Sequence, residues 1–261
     1  MLVRELENRL LGVIPSKAAE EWDRTGMLVG NPDATVGNVA VSLDPSIAAL
    51  DFCMAHDANV LVTHHPLFLD PPQSVKPGAP NADAVGARIW QAVRNGISVI
   101  SFHTALDANP LAANVLAAPL GLEAGNTVLE STPNMPGYGY GRICEAPTRD
   151  AASWLASCEA AFGRKARLWG SEDREIRRIC LWTGAAGESP QACLEAQVDL
   201  LICGEVKYHT ALDASEMGLS IVELGHDVSE QPHCALLVES LLRAGIPAES
   251  VFLMDLPVNW R

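Results

Sequence analysis

Short apolar or β-branched runs alternate with helix-length amphipathic stretches along most of this chain, and that alternation restricts it to an α/β fold with largely parallel strands. Residues 39–43 and 59–63 read as strands on either side of a helix over 45–58, opened by Asp44 and Pro45. The proline-rich stretch 70–80 is a loop. A helix follows from about Ala82 to Asn95, where Gly96 ends it, and residues 97–102 return as a strand. Residues 1–22 have the charge pattern of an amphipathic first helix. The texture changes at 124–141, which is rich in Gly, Pro and Asn, and a domain boundary is expected there. Beyond it come a helix near 149–162, strands near 177–182 and 198–203 with a helix between, a strand at 220–224, a helix over 226–244 and a closing strand at 251–254. The expected organisation is two interleaved α/β domains with mixed, largely parallel sheets. Residues 1–125 plus 220–261 form one domain and 126–219 a smaller second one.

With 261 residues, 48% of them hydrophobic, the chain can bury one large or two modest cores. Asp and Glu number 32 against 18 Lys and Arg, a formal net charge of -14, so the mean surface field repels phosphate backbones and anionic membranes. No apolar run reaches the roughly 18 residues of a membrane span, and the amino terminus lacks a signal-peptide core. A soluble cytoplasmic protein is expected. The seven cysteines form no Cys-x-x-Cys pair, and Cys180 and Cys203 sit inside apolar runs, the pattern of reduced structural thiols.

Ligand crevices of open α/β sheets lie beyond the carboxyl ends of the strands. Three predicted strands run into metal-type ligands there: 60–63 into His64 and His65, 99–102 into His103 and Asp107, and 221–224 into His226 and Glu230. Singly, each reads as a loop residue; at three converging strand ends they read as one cluster. Adjacent residues leaving a strand diverge, so His64 and His65 suit two different ions. His226 and Glu230 are four apart and share a helix face. Asp107 and Glu230 are the candidate oxygen ligands, bridging or terminal, and the three histidines the nitrogen ligands. Imidazole and carboxylate without thiolate suit Zn, Fe, Mn, Co or Ni. Two such ions about 3.5–4 Å apart make hydrolysis the default chemistry. His103, Glu205 and His209 are candidates to orient ligands or carry protons. The turn Gly184-Ala-Ala-Gly187 has the look of an anion cradle but lacks a phosphate-loop lysine, and no Gly-x-Ser-x-Gly elbow occurs.

Four motifs in order, Glu21-Trp-Asp-Arg-Thr-Gly-Met-Leu-Val-Gly30, Thr63-His-His-Pro-Leu-Phe68, His103-Thr-Ala-Leu-Asp107 and Gly225-His-Asp-Val-Ser-Glu230, resemble the dinuclear-metal-centre hexameric protein family, whose members are often labelled GTP cyclohydrolase I type 2 homologues. The resemblance implies a two-domain α/β protomer and a toroidal homohexamer built as a trimer of dimers. It also implies metal ligands at His64, His65, Asp107, His226 and Glu230. The chain departs from the commoner pattern at Asp227-Val228, where an aromatic residue often follows the motif histidine, and it lacks the long insertion of larger members.

Two functions compete. A metal-dependent hydrolase, cyclohydrolase-like or phosphoesterase-like, would act on a nucleotide or related heterocycle with His103 or Glu205 relaying protons. A non-catalytic metal-storage protein or ring-shaped scaffold would hold exchangeable metal and turn nothing over. A ring around nucleic acid conflicts with the charge of -14.

Overall fold

The computed structural model describes residues 1–78, 83–132 and 135–255. The chain divides into two compact units, residues 1–106 with 233–261 and residues 107–232. In chain order the first unit contributes α1 (Val3–Val13), β1 (Gly26–Val29), β2 (Asn38–Ser42), α2 (Ile47–Ala55), β3 (Ala58–Thr63), α3 (Ala84–Arg94) and β4 (Ser98–Ser101), then the single turn α4 (Thr104–Asp107). The second holds β5 (Val128–Ser131), β6 (Gly139–Asp150), α5 (Ala151–Phe162), β7 (Arg167–Trp169), β8 (Glu175–Leu181), α6 (Ser189–Glu195), β9 (Leu200–Cys203), α7 (Tyr208–Glu216) and β10 (Ser220–Glu223). The chain returns through α8 (His226–Arg243) and ends on β11 (Val251–Leu253).

The first sheet has the order β1-β4-β3-β2-β11 and is parallel except at β1, which pairs antiparallel with β4. Its strands are apolar on both faces, as a parallel sheet with covered faces requires. Ala40, Leu61 and Val99 point to one side and pack on Ala49, Leu50 and Cys53 of α2 and Ala92 of α3. Val41, Val62 and Ile100 point the other way and are also fully buried. Ser46 caps α2 by accepting from the Ala49 amide at 3.1 Å, so the helix starts at Ile47, two residues later than Asp44-Pro45 suggested. That shift leaves the Asp44 side chain for other work. Asp83 caps α3; the expected start at Ala82 lies outside the described residues. The first helix stops at Val13 rather than running to residue 22, because Pro15 disfavours helical backbone before it.

The second sheet, β5-β6-β8-β9-β10-β7, is mixed: β8-β9 and β9-β10 are parallel and the outer pairs antiparallel. Residues of β9 alternate cleanly, Leu200 and Ile202 toward Trp154 of α5, Leu201 and Cys203 toward Cys193 of α6 and Ala211 and Ala214 of α7. Burying each such aliphatic side chain contributes roughly 1.5–3 kcal/mol. Here the structure departs from the expected division. Residues 220–223 are the second sheet's β10, because Ile221 and Val222 fill its two opposite cores, not the first domain's. The Gly-rich stretch 124–141 is no linker either: it holds β5, a tight turn and the start of β6. Gly139, at φ +154°, sits where a Cβ would fall 2.2 Å from the Glu130 carbonyl oxygen, so the glycines that looked like a linker serve strand pairing.

All seven cysteines are buried free thiols, and burial pushes Cys53 and Cys158 up to about 12. Among the described residues, no helix is long and apolar enough to cross a membrane.

Candidate metal centre

In the first unit, the ends of β2, β3 and β4 gather four functional side chains. The β2–β3 ladder continues past the strands through the His65 amide, which donates to the Leu43 carbonyl at 3.0 Å, and so carries Asp44 alongside His65. The Thr63 hydroxyl donates to the His65 carbonyl at 2.7 Å and fixes the bend that turns the histidine pair out of the strand. His64, His65 and His103 each offer a ring nitrogen, and these three atoms lie within 4.8 Å of one another. His64 is fully buried, and the other two are partly buried.

Each of these imidazoles is held from behind by an oxygen. His64 Nδ1 donates to the Phe102 carbonyl at 3.0 Å, His65 Nδ1 to Asp44 Oδ1 at 2.8 Å and His103 Nδ1 to Asp23 Oδ1 at 3.1 Å. A carbonyl or carboxylate oxygen can only accept, so the proton sits on Nδ1 and Nε2 presents its lone pair. This is the outer-shell arrangement that orients histidine ligands of metals.

Asp23 is the most constrained of the supporting groups. Its side chain is wholly buried and accepts from His103, from the Arg24 amide at 2.6 Å and from the amide and hydroxyl of Thr104. Burial alone would raise its carboxyl, but the hydrogen bonds it accepts from His103, Thr104 and the Arg24 amide outweigh that and lower it to about 2. It therefore stays ionised behind His103. Asp23 lies in the motif 21–30 but drew no role from sequence, and Asp44 read only as a helix opener. His233, fully buried with its ring centroid 4.8 Å from that of His64, was also missed; its spacing of seven from His226, two turns along one helix, was the available signal.

In the second unit, the ends of β8, β9 and β10 gather carboxylates around one imidazole. His226 opens α8, with Nδ1 3.1 Å from Glu205 Oε1 and Nε2 3.1 Å from Glu230 Oε2. Two donors bound to one cation at about 2.0–2.2 Å lie roughly 3 Å apart, so the His226–Glu230 spacing suits a shared ion. Glu230 is 3% exposed and lies against Gly184. At φ +65° a Cβ on Gly184 would stand 2.2 Å from Glu230 Oε1, so only glycine admits the carboxylate here. At Gly184 the turn 184–187 thus faces an anion of the chain's own, the Glu230 carboxylate. It is pinned by the Ser229 hydroxyl, which accepts from the Gly184 amide at 2.9 Å, and by the Gly204 and Glu205 amides, which donate to the Gly184 carbonyl at 3.0 Å. Asp107 Oδ1 accepts from the Thr183 hydroxyl at 3.3 Å. His209 is exposed on α7, edge-on to Tyr208, apart from this group. Asp227, the residue that departs from the commoner motif, accepts from Arg164 at 3.0 Å.

The Duf34/NIF3 (NGG1p interacting factor 3) family model matches residues 1–255. The chain belongs to this family. Within it, the chain is 30% identical over 212 residues to the "GTP cyclohydrolase 1 type 2 homolog" of Nostoc sp., covering 78% of this chain and 76% of that protein. It is 24% identical over 246 residues to the protein of the same name from Clostridium acetobutylicum, covering 92% and 89%. The fold is shared with a solved Bacillus cereus protein related to NIF3, at a TM-score of 0.86 and 18% identity over 99% of this chain and 98% of that one. The histidine group and its hydrogen-bonded supports are thus a candidate metal-binding cluster in a NIF3-family protein.

Proposed function

We propose that this chain is a metal-dependent hydrolase in which His64, His65, Asp107, His226 and Glu230 hold two divalent cations, with a nucleotide or related heterocycle as substrate. The observation that carries the proposal is the tautomer lock on His64, His65 and His103. Three imidazoles that each bring a ring nitrogen within 4.8 Å of the others, with each Nδ1 bonded to an oxygen, suit a cation. The name shared by the relatives, GTP cyclohydrolase 1 type 2 homolog, supports the substrate class.

When bound, two such cations lower the pKa of water and polarise the bond it attacks. The remaining work belongs to side chains. His103, oriented by ionised Asp23, is the proton carrier beside the histidine pair, and half-exposed Glu205 passes protons between solvent and His226 Nδ1. The imidazole and carboxylate donors suit Zn, Fe, Mn, Co or Ni. The resemblance also supports a homohexamer, checked by whether light scattering gives six times the 27.8 kDa chain mass.

Metal analysis is the first test: wild type should carry two ions per chain, and His64→Ala and Glu230→Ala should each lose at least one. Unchanged stoichiometry in both variants would sink the site. A turnover screen over nucleotides, phosphodiesters and cyclic amidines, with Glu230→Ala as blank, tests the chemistry. Activity that survives in the blank, or full metal with no turnover anywhere, removes the hydrolase and leaves a metal-storage protein or scaffold. His103→Asn should keep both ions and slow turnover; loss of an ion would make His103 a ligand instead.

A further inference from the structure

Within the second unit, β6, the end of β8 and residues 112–116 line a pocket open to solvent whose walls include Asp107, Arg142, Tyr140, Trp182 and Thr183. Arg142 is an unexpected member. It is only 8% exposed, and its Nη2 is buried with no hydrogen-bond partner among the described residues. No described carboxylate forms an ion pair with it, although the chain carries an excess of acidic groups. Arg177 on β8, by contrast, forms an ion pair with Glu175. A guanidinium cannot shed its charge at any ordinary pH, even with burial lowering its pKa, so leaving it buried and uncompensated is costly. A fold tolerates that where the compensating charge arrives with a ligand.

The surroundings define that ligand. The planar fork of an arginine matches the oxygens of a phosphoryl or carboxylate group. Tyr140 is two residues before Arg142 on the same strand, and its ring lies 5.7 Å from that of Trp182 at a tilt of 32°, which places aromatic surface at the pocket. Asp107 and its donor Thr183 form another part of the wall.

We propose that this pocket is an oxyanion subsite, in which Arg142 binds a phosphoryl or carboxylate group and holds the molecule that carries it beside Asp107. That the molecule is the substrate of the metal centre rests on the function proposed above; the binding of the oxyanion does not. Arg142 is therefore a positioning and specificity residue, and the substrates it selects are anionic.

The test is thermal unfolding of the protein as purified, in inorganic phosphate, in acetate and in chloride at matched ionic strength. Phosphate or acetate should raise the wild-type midpoint by a few degrees at concentrations well above its dissociation constant, and the stronger of the two identifies the group as phosphoryl or carboxylate. Arg142→Met should lose that response while unfolding no earlier than wild type in chloride, since it removes an uncompensated buried charge. Arg142→Lys, which keeps the charge without the fork, should show a smaller response and serves if the methionine variant does not fold. Glu230→Ala separates the two proposals. A response kept in Glu230→Ala and lost in Arg142→Met supports the subsite whatever the metal content of Glu230→Ala proves to be. A response lost in Glu230→Ala and kept in Arg142→Met places the anion on metal and overturns the subsite, as does a wild type that responds to neither anion.

Discussion

The ends of β2, β3 and β4 present imidazoles, and the ends of β8, β9 and β10 present carboxylates around a single imidazole; the two groups are built by different means. Neutral imidazole has two tautomers, so the first unit sets its donors by hydrogen bonds behind the rings, from Phe102, Asp44 and Asp23. A carboxylate has no tautomer to choose, and the second unit sets Glu230 by steric fit against Gly184. The imidazoles depend on what lies behind them, and the Glu230 carboxylate depends on the room left in front of it. Substitutions that remove no ligand at all can therefore break each group in its own way.

The steric group should fail hardest. Gly184→Ala places a Cβ 2.2 Å from Glu230 Oε1 on backbone at φ +65°, and the neighbouring turn is tied to Gly204, Glu205 and Ser229. Strain and overpacking together should destabilise the second unit by roughly 2–4 kcal/mol. Chemical denaturation reads this directly, and metal content should fall with it. Wild-type stability in Gly184→Ala would mean that Glu230 has other places to go, and the contrast between the two groups would lose its basis.

Asp23→Asn attacks the hydrogen-bonded group and comes next. The amide replaces an ion that accepts from four donors, so at least one buried donor meets an NH2 group and goes unsatisfied. The expected cost is about 1–3 kcal/mol. Turnover should fall ~10-fold or more while both ions are kept, because the proton-carrying His103 ring is no longer held. Steady-state rates alongside metal analysis read this, and unchanged turnover would confine Asp23 to a structural role.

The sequence exposed the donors better than their supports. The grouping of His64 with His65 and His103, and of His226 with Glu230, was legible because parallel strands present side chains at their carboxyl ends and those strands are plain apolar runs. Asp44 and Asp23 were hidden because their partners are 21 and 80 residues away, across ladders no local pattern reveals. Asp44 was further masked by Ser46, since two cap-type residues stood side by side and only one could open α2. The strand of 220–223 was legible, but its sheet was not: residues apolar on both faces fit either core, and only the pairing with β9 decides. The hairpin in 124–141 failed for a different reason, since glycines needed for close strand approach have the composition of a linker.

The smallest expected effects compare like with like. Asp44 and Glu205 each accept from the Nδ1 of one candidate ligand, at 2.8 Å and 3.1 Å, and their side chains are 48% and 54% exposed. Solvent screens both pairs, so Asp44→Asn and Glu205→Gln should each change stability by less than ~1 kcal/mol. Their effects on metal affinity should differ. The His65 side chain is 19% exposed and that of His226 35%, and His226 is already positioned by the start of α8 and by Glu230. Asp44→Asn should therefore weaken metal binding up to about tenfold, at the low end for an outer-shell partner. Glu205→Gln should weaken it less, because the start of α8 and Glu230 still position His226, while turnover falls if Glu205 carries protons. Equal losses of affinity would show that the His226 ring depends on a hydrogen bond as much as His65 does, and the distinction between a group set by hydrogen bonds and one set by fit would then hold for Glu230 alone.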